Sequence, residues 1–329
     1  YILYINEKNY NSALLLIDSV LELKSNFQPA LRDKALVLNY LNKPDEAIKY
    51  IKKSIEINTV DYIAINILGL IYLNMKLYDQ AINEFEKALK INNNYIPSYN
   101  NLSTCYSKKF DLKQTEKILL KALSIDSENI ETINNIANVY SQKGKYDEAI
   151  KCYQKILSKT NNKSDILYNI GVAYFYKKEF NQGEKFYKKA YALDPNNDVL
   201  KKNYSLLLLA QQKFREGWSL YDGRLNLNEF LFKNSTLDNV KKKLWIKQKI
   251  NENDKILVVK EQGIGDEILF SSMYPDLLKK FPNCIIETEK RLLSLFKSSF
   301  GNEKNFIEYR SVSDYSKKLN SFDYTIYAG

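Results

Sequence analysis

Histidine is absent from the sequence, and cysteine occurs only at Cys105, Cys152 and Cys284, far apart and never as a CxxC pair. The first absence excludes histidine-based catalysis, so any general base must be a carboxylate, lysine, tyrosine or thiol. Together the two argue against a structural zinc site and against a disulfide framework, and they point to a reducing, cytoplasmic setting. No metal site is expected. Long apolar runs are also missing, none approaching the roughly 20 residues that a membrane span needs. Like-charge runs are short, with no five in a row. The excess of 49 Lys+Arg over 39 Asp+Glu, a formal charge of +10, is spread among Asn, Ile and Tyr, as a compositional bias would leave it. Such a balance suits an anionic polymer, but the dispersed pattern favours a solvated surface, and no nucleic-acid partner is expected.

What the chain does have is a period. Residues 62–95 read YIAINILGLIYLNMKLYDQAINEFEKALKINNNY, with Leu68, Gly69 and Tyr72 on one helical face and Ala81, Phe85 and Ala88 on another, across a turn at 76–79. Apolar residues at three- and four-residue steps on both sides of a turn make a helical hairpin. A shift of 34 residues repeats it without an insertion. A small second-helix slot recurs at Ala13, Ala47, Ala81, Thr115, Ala149, Gly183 and Gly217, and the Tyr72 slot at Tyr4, Leu38, Tyr106, Tyr140, Tyr174 and Leu208. Small residues let two helices approach closely. Asp45, Asp79 and Asp147 share a slot suited to capping the second helix, and Gly144 stands where a first helix ends in a left-handed residue. The pattern resembles the tetratricopeptide repeat, and implies an α solenoid, a right-handed superhelix of stacked pairs, over 1–225: a partial repeat at 1–27, repeats at 28–61, 62–95, 96–129, 130–163 and 164–197, and a capping or junction repeat at 198–225. Because Tyr1 falls in the middle of a first helix, a truncated N-terminus is expected.

Two amide slots follow the same register, Asn66, Asn100 and Asn134 at one, and Asn101, Asn135, Asn169 and Asn203 at the next. Equivalent slots of stacked first helices form a ladder along the concave groove. A side-chain amide donates and accepts at once, matching the main chain of an extended peptide. The layout resembles the asparagine-lined groove of the protein O-GlcNAc transferases, which implies a protein or peptide partner in the groove. The chain is rich in asparagine throughout, so composition alone also accounts for the coincidence. The 26 tyrosines are read as packing residues where they fall in repeating slots.

After 225 the period disappears. Residues 226–253 are expected to be a helical linker anchored by Trp245. From 254 to 329 the pattern alternates between strand and helix, beginning with the β-branched run KILVVK at 255–260, and reads as a partial α/β domain with a parallel sheet. Strands are expected near 284–288, 306–309 and 324–327, and helices at 267–281 and 290–300. The loop Glu261, Gln262, Gly263, Ile264, Gly265, Asp266 turns from strand into helix, where free amides can face an anion. It lacks the third glycine of a dinucleotide fingerprint, and no GK[ST] follows. On the residues alone, Asp266 either caps the next helix or contacts a ligand, and Arg291 either meets a phosphate or is a solvated charge.

Residues 255–278, KILVVKEQGIGDEILFSSMYPDLL, resemble the first unit of GT-B glycosyltransferases of the heptosyltransferase family and their tetratricopeptide-fused bacterial relatives; GWSLYDGR at 217–224 and Leu244-Trp245 resemble the junction in those fusions. The likeness spans roughly 110 residues, and its specific part about 25. It implies a Rossmann-like N-terminal half of a GT-B domain, with Asp266 as base toward an acceptor hydroxyl and Glu261, Gln262, Gly263 and Gly265 lining the cleft. It further implies a metal-independent transferase whose nucleotide-sugar donor binds mostly in a second half. That half is absent here, so no cofactor is expected for this stretch and little turnover. The expectation is thus a piece of a tetratricopeptide glycosyltransferase whose groove presents a protein or glycan acceptor; the alternative is a non-catalytic interaction scaffold.

Overall fold

The computed structural model describes residues 7, 9–221, 249–260, 267–269, 271–301, 303–308 and 321–328. The chain divides into two compact units, Tyr1–Trp218 and Ser219–Gly329.

The first unit is built of antiparallel helix pairs. A lone second helix, α1 (Tyr10–Leu23), precedes α2 (Gln28–Tyr40) with α3 (Pro44–Ile57), α4 (Tyr62–Asn74) with α5 (Tyr78–Ile91), and α6 (Ile96–Lys108) with α7 (Leu112–Ile125). There follow α8 (Ile130–Gln142) with α9 (Tyr146–Leu157), α10 (Lys163–Tyr176) with α11 (Phe180–Leu193), and α12 (Asp198–Ala210) with α13 (Phe214–Tyr221), the last crossing the division. Asp61 accepts from the free amides of Ile63 and Ala64 at the start of α4, Asn129 from Thr132 at the start of α8, and Asn197 from Leu200 at the start of α12. These side chains satisfy donors that a helix start leaves open.

Each first helix ends in the same way. Asn42, Lys76, Phe110, Gly144, Lys178 and Gln212, spaced by 34, all take φ between 59° and 73°. The next residue donates its amide to the carbonyl five residues back, as Leu77 does to Tyr72 at 2.9 Å and Lys145 to Tyr140 at 2.8 Å. This is the left-handed stop of a Schellman turn, and only one of its six occupants is glycine. Asp45, Asp79 and Asp147 do not cap: α3, α5 and α9 begin one residue earlier, at Pro44, Tyr78 and Tyr146, with no side-chain cap. Each acid therefore lies inside the first turn, where the helix dipole still favours it. Asp79 accepts instead from Lys109 at 2.5 Å, and Asp147 from Lys177 at 2.7 Å, each the lysine that caps the end of the following first helix.

In two of the pairs a glycine on the first helix makes room for a ring on the second. A Cβ built on Gly69 would stand 2.7 Å from the ring of Phe85, and one on Gly171 would stand 3.1 Å from Tyr187. Gly69 and Gly171 share one slot, Phe85 and Tyr187 the partner slot. Where the partner is the smaller Ile51 or Leu119, the first helix carries Ala35 or Ser103. Ala13, Ala47, Ala81 and Ala149 are fully buried in the close contacts between helices. No helix among the described residues is long and apolar enough to cross a membrane.

The described residues of the second unit hold four parallel strands, β1 (Ile256–Lys260), β2 (Ile285–Thr288), β3 (Phe306–Glu308) and β4 (Tyr324–Ala328), in the order β3-β2-β1-β4. On one face Ile256, Val258 and Ile286 pack with Tyr274, Leu278, Phe296 and Phe306; on the other Leu257 and Val259 meet Ile285, Ile307 and Phe322. Burial on both faces accounts for the unbroken apolar run of β1. Helices α14 (Tyr274–Lys280) and α15 (Lys290–Phe300) supply the first face, and Gly301 at φ 66° closes α15. The linker 226–248 lies outside the described residues.

Candidate functional site

The asparagines of the first helices separate into two groups one slot apart. Asn66 and Asn100 are buried, at 6% and 2% exposure, and bond across to the next repeat. Ser98 donates to Asn66 Oδ1 at 2.9 Å, and Thr132 to Asn100 Oδ1 at 2.9 Å. The third member of that slot, Asn134, has Ile166 where the other two have a hydroxyl, and its buried Oδ1 has no hydrogen-bond partner. Asn101, Asn135, Asn169 and Asn203 are half-buried. Asn101 donates back to Asn66 at 3.1 Å, and Asn203 to Tyr168 at 2.8 Å. Asn135 and Asn169 make no side-chain hydrogen bond among the described residues, and both line open space.

That space has two compartments, and Asn169 lines both. The first, about 340 Å³, is walled by Thr104, Lys108, Asn135, Asn138, Gln142 and Asn169 from three successive first helices. Its floor is fixed where Tyr153, buried on α9, donates to Asn138 Oδ1 at 2.5 Å. Burial pushes the Tyr153 phenol upward, so it remains a donor at any ordinary pH. The second compartment, about 620 Å³, is walled by Glu131, Asn134, Asp165, Ile166 and Tyr168. Glu131, Asp165 and Tyr168 were not singled out by sequence, although the register held the signal: Glu131 and Asp165 are 34 apart, as are Asn134 and Tyr168.

No thiol in the chain is poised for chemistry. Burial pushes Cys105 and Cys284 up to about 12 and raises Cys152, so each stays protonated near neutrality and is a packing residue.

In the second unit the loop carrying Glu261, Gln262, Gly263, Gly265 and Asp266 lies outside the described residues. Its neighbour Glu267 is described, and is 5% exposed. Its carboxylate accepts from the Thr288 hydroxyl at the end of β2 and from the Glu289 amide at 3.0 Å, just before α15. The carboxyl end of β2 is thereby tied to the segment that follows β1. Arg291 is exposed and sits 3.5 Å from Glu289, a surface charge.

The repeated hairpins, their shared left-handed stop and the amide-lined face define a class: the chain carries tetratricopeptide repeats in a helical solenoid. The family described as Psidin, N-terminal TPR repeats region, matches residues 3–129. Tetratricopeptide repeat families match 118–151 and 164–197, and a TPR repeat family matches 137–178. No curated protein matches the sequence. Among solved structures, a chain of the APC/C hetero-tetramer Cut9-Hcn1 superposes with a TM-score of 0.61 at 16% identity, over 68% of this chain and 44% of that one. This chain thus spans under half of that relative's length. A tetratricopeptide repeat protein from Parabacteroides merdae gives a TM-score of 0.55 at 12% identity, over 73% and 93%. The type IV pilus biogenesis factor PilW gives 0.53 at 17%, over 59% and 90%. At these identities the likeness is one of fold.

Proposed function

We propose that the solenoid is a protein-interaction module that holds an extended segment of a partner along its first helices. The observation that carries this reading is the pair of unbonded amides, Asn135 and Asn169, on successive first helices beside open compartments. A main chain offers alternating donors and acceptors, and an amide free of internal bonds meets both without requiring a sequence. The buried amides Asn66 and Asn100 serve the same groove from behind, by fixing the spacing of the repeats. Asn101, Asn134 and Asn203 complete its wall. The test is selection of linear peptides from a random library on the full chain, followed by fluorescence anisotropy. Asn135→Ala/Asn169→Ala should weaken the selected peptide about tenfold or more, given the net worth of two hydrogen bonds, with an unchanged melting temperature. Equal affinity would overturn the reading.

A second reading concerns the second unit and is favoured by the strand order β3-β2-β1-β4. In open parallel sheets ligands bind outside the carboxyl ends of the strands where the order reverses, here between β1 and β4. The loop with Glu261, Gln262, Gly263, Gly265 and Asp266 follows β1. On this reading the unit is the acceptor half of a metal-independent sugar transferase of the GT-B type, Asp266 takes the acceptor proton, and the solenoid presents the acceptor. A nucleotide-sugar would be the donor for the longer enzyme. Sugar transfer by a longer form of the protein that survives Asp266→Asn at full rate would exclude the assignment of the base.

A further inference from the structure

The first compartment has a third amide, and unlike Asn135 and Asn169 it is not free to turn. Along the first helices one slot reads Leu36, Leu70, Thr104, Asn138, Val172 and Leu206. Along the second helices the slot that holds Tyr153 reads Ile51, Phe85, Leu119, Tyr153 and Tyr187. An amide and a phenol coincide in one repeat of this register, that of α8 and α9. There Tyr153, 2% exposed, donates to Asn138 Oδ1 at 2.5 Å. Asn138 stands three residues beyond Asn135 on α8, on the same face one turn along, and lines the compartment together with Asn135 and Asn169.

The bond from Tyr153 decides which end of that amide is left for the groove. A buried phenolic hydrogen needs an acceptor, and Tyr153 has no other hydrogen bond among the described residues. With the amide turned over, Nδ2 would bring hydrogens to the phenol and leave the phenolic hydrogen with nothing to bond. Oδ1 is therefore held to the floor, and Nδ2 is the end left over. It donates to nothing among the described residues and is not closed to solvent. Asn135 and Asn169, which make no side-chain bond, can each present either end.

We propose that Asn138 is the groove residue of fixed polarity: its Nδ2 donates to a main-chain carbonyl of the bound segment, and Tyr153 is the positioning residue that holds it so. Amides that can turn accept a main chain in any register, because each meets an N–H or a C=O equally well. An amide that can only donate accepts the segment where a carbonyl faces it. Asn138 thereby sets the register of the segment without reading a side chain, and the phenol behind it keeps that choice from relaxing. The inference rests on the groove being a peptide site.

The experiment uses the full chain and the linear peptide selected from the random library. Each main-chain amide of the peptide is replaced in turn by an ester, whose carbonyl is the weaker acceptor, and the series is read by anisotropy. One ester should weaken binding to the wild type about fivefold, the scale of one neutral hydrogen bond, and have no further effect in Asn138→Ala. Asn138→Asp, whose carboxylate still accepts from Tyr153 but has nothing to donate to the groove, should lose the response to the same ester. In Tyr153→Phe, which keeps the ring and frees the amide, the response to that ester should shrink relative to the other esters. A phenol with a merely structural role would leave that ratio unchanged, and an unchanged ratio overturns the positioning by Tyr153. A series in which no ester depends on Asn138 overturns the proposal as a whole. If Asn135→Ala/Asn169→Ala still weakens the peptide in that case, the groove reading survives. If the asparagine pair has no effect either, both readings fall.

Discussion

Ser98 donates its hydroxyl to the side-chain carbonyl of Asn66 at 2.9 Å, both residues buried and in successive repeats. The next boundary repeats the arrangement with Thr132 and Asn100. The two bonds differ in redundancy: Asn66 also receives Asn101 at 3.1 Å, whereas Asn100 has Thr132 as its carbonyl donor and an unbonded Nδ2. Thr132→Val should therefore destabilise the solenoid by about 1–3 kcal/mol in urea unfolding, and Ser98→Ala by about 1 kcal/mol or less. Equal effects would mean that Asn101 does not support the first bond.

The left-handed stop gives a prediction of opposite signs at equivalent positions. Phe110 takes φ 60° with its ring 91% exposed, so the backbone strain is not offset by packing. Phe110→Gly should raise stability by about 1 kcal/mol. Gly144, at φ 73° with open space around its Cβ position, should lose about 1 kcal/mol as alanine. The midpoints of thermal unfolding check both, and a loss on Phe110→Gly would show that the ring carries a stabilising contact.

The glycine at the Phe85 contact has a steric origin. Gly69→Ala places a methyl 2.7 Å from a ring that is fully buried, and overpacking of that kind costs about 1–3 kcal/mol. Phe85→Leu in the same chain should recover part of that loss, because the neighbouring repeat already tolerates Ser103 against Leu119. A double variant no better than the sum of its singles would place the strain elsewhere.

Much of the solenoid was legible because each repeat answers the same packing problem, so a 34-residue register exposes the helices, the small slots and the tyrosine slot. It failed where the answer depends on a partner in another repeat. Asn66 and Asn101 look alike in sequence, but only the first lies opposite a hydroxyl 32 residues on. The acids at 45, 79 and 147 looked like caps because their helices start one residue sooner, at a proline or an aromatic. In the second unit the β-branched run of β1 announced a strand buried on both faces. Glu267 went unnoticed beside Asp266 because its partner Thr288 lies on another strand.

Acid should weaken one inter-repeat link. Glu128 is held well below the ordinary carboxylate value, at about 2, by hydrogen bonds from Lys155 and Lys159 at 2.6 and 2.5 Å. A depressed folded-state value means that its contribution is present above the unfolded value of about 4.3 and is lost as pH falls toward 2. The melting temperatures of the wild type and Glu128→Gln should differ slightly at pH 6 and converge as pH falls through 4 toward 2. The three side chains are exposed, so high salt should also shrink the difference. A gap that widens in acid would contradict the link.

The claim that the first-helix groove holds a partner segment is tested most directly by the side-chain amide resonances of the asparagines. In an assigned NMR spectrum of the full chain, saturation with the selected peptide should shift the Nδ2 groups of Asn135 and Asn169, which have no internal bond. Those of Asn66 and Asn100, buried behind the groove, should stay in place. Shifts at Asn66 and Asn100 without shifts at Asn135 and Asn169, or binding that moves none of the four, would contradict it.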